Sequence, residues 1–344
     1  MYRIIMVPTD GSGFDREAIR VALHLAERTK AKVRLVRVLP TGSFFGIAAA
    51  SEGTPVATDV VRSERDKAQS ELYALAAECR NTSDADITVD LHAGPVADVL
   101  EGYARRHDVD LIVISTHGRT GIARLSLGSV TDSLIRHTST PVLVVKPAQS
   151  YLNPQAGETV SRIVVPLDGS TLAEQILPRV TTLAALEEAE VVLLHVLVPQ
   201  AGIPDLDAPW SEKEVYVAQE YLLRIAKKLR RSGVAVRTDI VISENISEAI
   251  ADFATREKAD LIAIATHGRG GVARMLRGSV ADAIMHSGKT SMLVLKPEKL
   301  GTSDRATSAE WVGAEPVPAE ASTFLSPGRL RDPLPHPIAA GPSA

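Results

Sequence analysis

Apolar positions along the chain fall into short continuous runs, separated by stretches in which they recur at helical spacing. Ile4–Val7 is the first run. Phe14, Ala18, Val21, Ala22 and Leu25 then line one face of a helix, with Ser12 and Asp15 as a capping-box-like start. Val33–Leu39 is rich in β-branched residues and stops at Pro40. A small-residue loop, Thr41 to Pro55, leads to a long helix through about Arg80, and Ile87–Leu91 reads as a third strand. Val96–Arg106 is a helix, Leu111–Ser115 a fourth strand, then a helix to about His137 and a fifth strand, Val142–Lys146. Continuous apolar strands separated by helices predict an α/β, doubly wound architecture, a parallel sheet with helices on both faces.

The pattern occurs twice. Residues 116–147 align without a gap on 266–297, with 16 of 32 positions identical, and Val7-Pro8-Thr9-Asp10-Gly11-Ser12 matches Val165-Pro166-Leu167-Asp168-Gly169-Ser170. The offset is 158 residues at the starts and 150 at the later glycines, which places the eight missing residues most simply in the loop after the second strand. The second copy runs from Ile163 to Lys296, with Val191–Val198, Val236–Val241, Leu261–Ala265 and Met292–Lys296 as its later strands. The expected organisation is therefore a domain at 1–147, a linker at 148–159 holding Pro154 and Gly157, a domain at 160–297 and a tail at 298–344. The tail is rich in Ala, Pro, Ser and Gly without periodicity, and is expected to be disordered.

Composition narrows the function classes. A length of 344 residues suits two ordinary domains, and a net charge of −4 suggests neither nucleic acid nor an anionic membrane as partner. Aromatics at 4 % are too few for base-stacking platforms. The single Cys79 excludes an internal disulfide and sits in a helical pattern as a small core residue. The N-terminus turns polar too soon for a signal peptide, and no apolar run reaches the ~20 residues that span a bilayer. The expectation is a soluble, cytoplasmic protein.

Candidate chemistry lies in the doubled segment Ile-Ser-Thr-His-Gly-Arg-Thr-Gly-Ile-Ala-Arg-Leu-Ser-Leu-Gly-Ser, residues 114–129, and its echo at 264–279. Each follows an apolar run (Asp110 to Ile114, Asp260 to Ile264) and precedes an amphipathic segment at Ser129 or Ser279. A glycine-bearing loop between strand and helix lets backbone approach a bound group, and the helix N-terminus presents unpaired N–H groups to an anion. A phosphate site in each half is the functional reading; a flexible connecting loop is the alternative. Ligands of such sheets bind beyond the strand carboxyl ends. Pro8-Thr9-Asp10, Val38 and Ser115 to Gly118 fall there, as do Pro166-Leu167-Asp168, Val196 and Ala265 to Gly268.

Asp10 and Asp168 suit ribose or adenine contacts or a metal ion, and equally a helix cap. Ser129 and Ser279 suit a phosphate or, again, an N-cap. Arg119, Arg124, Arg269 and Arg274 suit phosphate geometry, as surface arginines also can. His117 and His267 have no second His or Cys at metal-ligand spacing in their loops, so they are read as shaping the loop. Neither a Walker A pattern nor a G-x-G-x-x-G fingerprint is present.

These residues resemble a tandem universal stress protein, two such domains in one chain, over about 1–147 and 160–297. ATP-binding members of that family share Gly, two residues, Gly, nine residues, then Gly followed by Ser or Thr. Gly118 with Gly128-Ser129, and Gly268 with Gly278-Ser279, match the last two elements; Ser115 and Ala265 stand in place of the first glycine. The resemblance implies that Pro8, Thr9, Asp10 and Val38 line the adenosine side, and that Ser115, Gly118, Arg119, Gly128, Ser129 and Val130 line the phosphate side. His117 is counted with them. In the second copy the set is Pro166, Asp168, Val196, Ala265, His267, Gly268, Arg269, Gly278, Ser279 and Val280, with Leu167 and Ala281 replacing the hydroxyls of Thr9 and Thr131. It also implies a five-stranded sheet ordered 3-2-1-4-5, ATP with Mg²⁺ as ligand, and pairing of the two domains through their fifth strands within the chain. A further homodimer contact through another surface is compatible with it.

Three functions compete at this stage. One is a nucleotide-dependent stress-response regulator, at most a slow ATPase, since no dedicated base is visible. The second is an interaction module of the same fold that does not use the nucleotide. The third is an enzyme of the wider adenine-nucleotide α-hydrolase class, for which Asp10-Gly11-Ser12 is too short a match to the expected loop after the first strand.

Overall fold

The structure, a computed structural model, describes residues 1–40, 55–115, 128–146, 160–199, 212–266, 279–287 and 290–298, with the side chains of 55–58, 279 and 287 excepted. The linker expected at 148–159 and the tail beyond Glu298 lie outside the described residues. The first half contains β1 (Ile4–Thr9), α1 (Arg16–Thr29), β2 (Lys32–Leu39), α2 (Pro55–Thr82), β3 (Asp86–Ala93), α3 (Val96–Arg106), β4 (Leu111–Ser115), α4 (Ser129–His137) and β5 (Val142–Val145). The second contains β6 (Arg162–Pro166), α5 (Thr171–Glu174), α6 (Leu177–Glu187), β7 (Glu190–Leu197), α7 (Glu212–Arg230), β8 (Val236–Ile242), α8 (Ile246–Arg256), β9 (Leu261–Ala265), α9 (Ser279–Ser287) and β10 (Ser291–Leu295).

All ten strands belong to one sheet, ordered β3-β2-β1-β4-β5-β10-β9-β6-β7-β8. Neighbours within each half run parallel. β5 and β10 are antiparallel, with Leu143 opposite Leu293. Read from either outer edge, each half has the order third, second, first, fourth, fifth strand. Alternation along the strands builds two cores. Ile5, Val7, Val33 and Leu35 face the layer of α1, α2, α6 and α7, whereas Met6, Val36, Ile112 and Ile114 face α3, α4, α8 and α9.

The two halves tie the start of the first strand down in the same way. Asp110 Oδ2 accepts from the N–H groups of Arg3 (2.8 Å) and Ile4 (3.0 Å). Asp260 Oδ2 accepts from Ser161 N–H (2.7 Å), Ser161 Oγ (2.7 Å) and Arg162 N–H (2.9 Å). The carboxylate before each fourth strand thus satisfies donors that the sheet leaves unpaired.

Three local expectations change. Helix α1 begins at Arg16, and Asp15 at its N-cap position makes no capping bond, because its buried carboxylate is held by the Thr9 hydroxyl instead. Phe14 precedes the helix and is 46 % exposed, so it is not part of the apolar face. The eight extra residues of the first half lie in helix rather than loop. Buried Ala68, Leu72 and Cys79 already match Ala218, Leu222 and Leu229 at the later offset, while α2 has 28 residues against 19 in α7. Cys79 is buried, and that burial raises the pKa of its thiol, as suits a core residue.

Burial also raises the carboxyl pKa of Asp239 on β8, despite Arg237 at 3.2 Å. A carboxyl with a raised folded-state pKa favours folding below its unfolded pKa, and that contribution is lost as pH rises through the folded value. Asp239→Asn is therefore expected to leave thermal stability at neutral pH unchanged or higher. The difference should vanish in acid, as read from melting temperatures across pH.

Candidate functional site

The order of each half reverses between its first and fourth strands, which is where open α/β sheets hold ligands. In the register of β1 and β2, Thr9 lies opposite Arg37, so Asp10 follows beside Val38. Met6 lies opposite Ile112, and continuing that offset sets Ser115 level with Thr9. Pro8, Thr9, Asp10, Val38 and Ser115 therefore gather at one end of the sheet. In the second half Val164 lies opposite Ile262, which sets Leu167 level with Ala265, beside Pro166, Asp168 and Val196.

Side-chain direction divides this group. Val38 and Val130 pack against the core beneath α3 and α4, and Val196 and Val280 do the same beneath α8 and α9. Thr9 points to the other face and donates its hydroxyl to Asp15, so the part of Thr9 that borders the Val38 side is its backbone. Asp10 Oδ1 accepts from Ser12 N–H at 2.8 Å, and Asp168 Oδ1 accepts from Ser170 N–H (2.9 Å) and Oγ (2.6 Å). Neither aspartate caps a helix directly. Ser170 does, accepting from Ala173 N–H at the start of α5.

Gly128 occupies the N-cap of α4, and Ser129 is its exposed first residue, so Ser129 is not the cap. As a glycine, Gly128 brings no capping side chain of its own, although its carbonyl accepts from Asp132 N–H at 2.9 Å. The Gly128 torsions, φ −60° and ψ 144°, are open to any residue. Backbone conformation therefore does not explain why glycine stands there. Thr131 and Ala281 are both buried on the core side of their helices. His117, Gly118, Arg119, Arg124, His267, Gly268, Arg269, Arg274 and Gly278 lie outside the described residues, and only the backbone of Ser279 is described, opening α9.

On the Thr9 face lies a cluster that the sequence reading did not pick out. The Arg37 guanidinium, 7 % exposed, binds Glu71 at 2.8 Å beside the Thr9–Asp15 pair. These residues line a cavity of about 90 Å³ with Gly11 and Gly13. Gly11 has φ +75°, which calls for glycine, and a Cβ there would also meet Arg37 Nη1 at 2.9 Å. The available signal was Arg37 itself, a charge inside a β-branched run. The second half replaces the cluster as a set. Leu167 and Ala173 stand for Thr9 and Asp15, and the His195 and Tyr221 rings, 6.5 Å apart, stand for Arg37 and Glu71.

That substitution predicts a coupled effect. Thr9→Leu alone leaves the Asp15 carboxylate buried without its hydroxyl donor, at a cost of about 2 kcal/mol. Thr9→Leu with Asp15→Ala, the pair used by the second half, should recover most of it in denaturant unfolding.

The profile of the universal stress protein family matches residues 1–146 and again 159–296. The chain belongs to the universal stress protein family. It is 25 % identical over 306 residues to a universal stress protein of Mycolicibacterium smegmatis, covering 85 % of this chain and 97 % of the relative. A Mycobacterium bovis universal stress protein is 26 % identical over 308 residues, with 85 % and 94 % covered. One from Methanocaldococcus jannaschii is 32 % identical over 147 residues, 42 % of this chain and 83 % of that protein. A universal stress protein from Archaeoglobus fulgidus shares the fold, with a TM-score of 0.61 at 16 % identity, over 86 % of this chain and 97 % of its own. Two family matches in one chain, with relatives that span both, make this a tandem universal stress protein. Among the described residues no helix is long and apolar enough to cross a membrane, and no group of three side chains is placed to ligate a metal.

Proposed function

We propose that this tandem universal stress protein is a nucleotide-dependent regulator of the stress response. Each half, 1–147 and 160–297, takes one ATP at the end of its sheet, with Mg²⁺ brought by the nucleotide. The observation that carries the reading is the open N-terminus of α4 behind Gly128. It is a nine-residue helix whose N-cap is a glycine, with no side chain of its own to close the first turn and with torsions that do not require glycine. Room for an approaching phosphate is a physical reason for that glycine. Pro8, Thr9, Asp10 and Val38 would hold the adenosine end, and Ser115, Gly128, Ser129 and Val130 the phosphates, together with His117, Gly118 and Arg119. Their counterparts, Asp168, Val196, Val280, Ala265, Gly278 and Ser279 with His267, Gly268 and Arg269, would serve the second half. The chain's own groups bind and orient; the reading requires no turnover. Family membership supports the stress-response role. The two halves act as one paired body in solution, joined at β5 and β10.

Thermal unfolding with and without Mg-ATP tests this. One filled site adds ~2.7 kcal/mol at ligand 100-fold above its dissociation constant, a clear rise in melting temperature. Ser115 and Ala265, in place of the first glycine of the pattern, favour the second reading, an interaction module that leaves the nucleotide unused. Absence of any shift with Mg-ATP at saturating concentration selects that reading.

A further inference from the structure

We propose that His24 and Glu187 form a selectivity pair, making the first half accept the second half of its own chain in preference to another copy of itself. The inference rests on the paired arrangement proposed above. The strand ladder between the halves selects only weakly. β5 and β10 cross antiparallel with Leu143 opposite Leu293, Val142 opposite Val294 and Val144 opposite Met292. These are equivalent positions of the two halves; the uneven contact is Ser291 Oγ, which accepts from Lys146 N–H at 3.1 Å and has Pro141 as its equivalent.

The layer of α3, α4, α8 and α9 is nearly as even-handed. Lys146 Nζ donates to Met285 O at 2.7 Å, and the equivalent Lys296 Nζ donates to His137 O at 3.3 Å. Arg136 faces Asp282 at 3.8 Å, and Asp132, the equivalent of Asp282, stands on the helix of Arg136. A second copy of either half would bring comparable groups.

The other face differs. His24 Nε2, on α1, lies 3.1 and 3.0 Å from the two carboxylate oxygens of Glu187 at the end of α6. Their side chains are 13 % and 1 % exposed. Lys30 and Glu188, the left-handed residues that close α1 and α6, fix the repeat offset here. By that offset His24 is equivalent to Thr182, and Glu187 to Thr29. Both threonines turn back on their own helices, Thr29 Oγ1 to Leu25 O at 2.6 Å and Thr182 Oγ1 to Pro178 O at 3.0 Å. The pair is therefore made once, not twice. Around it lie Val21, Leu25, Leu143, Leu183 and Leu261, an apolar surround in which the Arg28 guanidinium lies near, its Nε 3.9 Å from Glu187.

Two first halves joined at β5 would set each His24 against a Thr29. Two second halves joined at β10 would bury two Glu187 carboxylates opposite Thr182, with no histidine for either. An uncompensated buried charge is strongly unfavourable, so only first-with-second pairing satisfies both residues. The consequence is more than stability. A chain with two self-complementary edges could join first half to first half and second half to second half without end, forming open filaments. A one-sided hydrogen-bonded pair closes the edges on each other.

The full-length protein tests this with three variants, His24→Glu, Glu187→His and the double exchange His24→Glu/Glu187→His, in sedimentation velocity over a wide concentration range. The parent is expected to keep a constant mass. His24→Glu sets two carboxylates face to face and should give a mass that rises with concentration or a lowered melting temperature, and Glu187→His should do the same more weakly. The double exchange should return both properties to those of the parent. Single variants that behave as the parent overturn the proposal, as does a double exchange no better than the singles, since packing alone would then explain the loss. Solution scattering of the parent separates the two levels: extended, independent halves refute the pairing itself, whereas a compact parent with insensitive variants refutes only the selectivity pair.

Discussion

Gly128→Val is expected to remove the nucleotide site proposed for the first half and leave the fold intact. The backbone at Gly128 already has torsions that valine adopts, so the substitution introduces no strain of its own. Losing glycine at an N-cap costs about 1 kcal/mol at most. What changes is the space in front of the helix, where two added methyl groups would sit against the phosphates. Titration calorimetry with Mg-ATP should show two sites in the parent and one in Gly128→Val. Affinity at the altered site should fall at least ~100-fold, equivalent to about 3 kcal/mol. Gly278→Val should remove the other site, and the double variant both. Gly128→Ala, with one carbon added, should lose affinity by a smaller factor. Unaltered stoichiometry in Gly128→Val would mean that phosphate does not approach this helix.

The largest effect on stability is expected at Asp260→Ala. Its carboxylate is 4 % exposed and accepts three hydrogen bonds, two of them from backbone N–H groups that lead into β6. Hydrogen bonds to a charged acceptor contribute about 1.5–3 kcal/mol each, and removing the acceptor leaves donors beside a buried strand unsatisfied. A loss of roughly 3–4 kcal/mol is expected, since water can reach part of the vacated space. Asp260→Asn keeps one acceptor oxygen and should cost about half as much. The equivalent Asp110 has a side chain 17 % exposed and holds two N–H groups, so Asp110→Ala should cost less than Asp260→Ala. Urea unfolding of the three variants would read this order directly.

The central strands were legible because they are apolar on both faces. Leu111–Ser115 and Leu261–Ala265 are buried at every position, and their sequence bounds coincide with β4 and β9. The helix Val96–Arg106 was equally plain from its spacing. Helix starts were not. Ser12 and Asp15 have the residue types of a capping box, but the carboxylate found a stronger partner in Thr9, six residues earlier on a neighbouring strand end, which no local pattern reports. The long helix after Pro55 is legible, but not that it carries the extra length of the first half, because small and polar residues lie on both sides of its start.

The sheet end that gathers Asp10, Val38 and Ser115 could be inferred from topology alone, since strand order decides where loops converge. The direction of Thr9 could not, because it depends on where β1 ceases to alternate. The Arg37–Glu71 pair stayed hidden for a similar reason: its members are 34 residues apart and meet only when α2 packs on β2. His24 and Glu187 are more distant still, 163 residues apart, and each looks like an ordinary helix-surface residue in sequence.

Native mass spectrometry of the full-length chain in Mg-ATP tests the central claim most directly, because it counts ligands on each molecule. The account predicts a species carrying two nucleotides at saturation, reduced to one by Gly128→Val or by Gly278→Val. A chain that stays free of nucleotide at saturating Mg-ATP, while still folded, would contradict it.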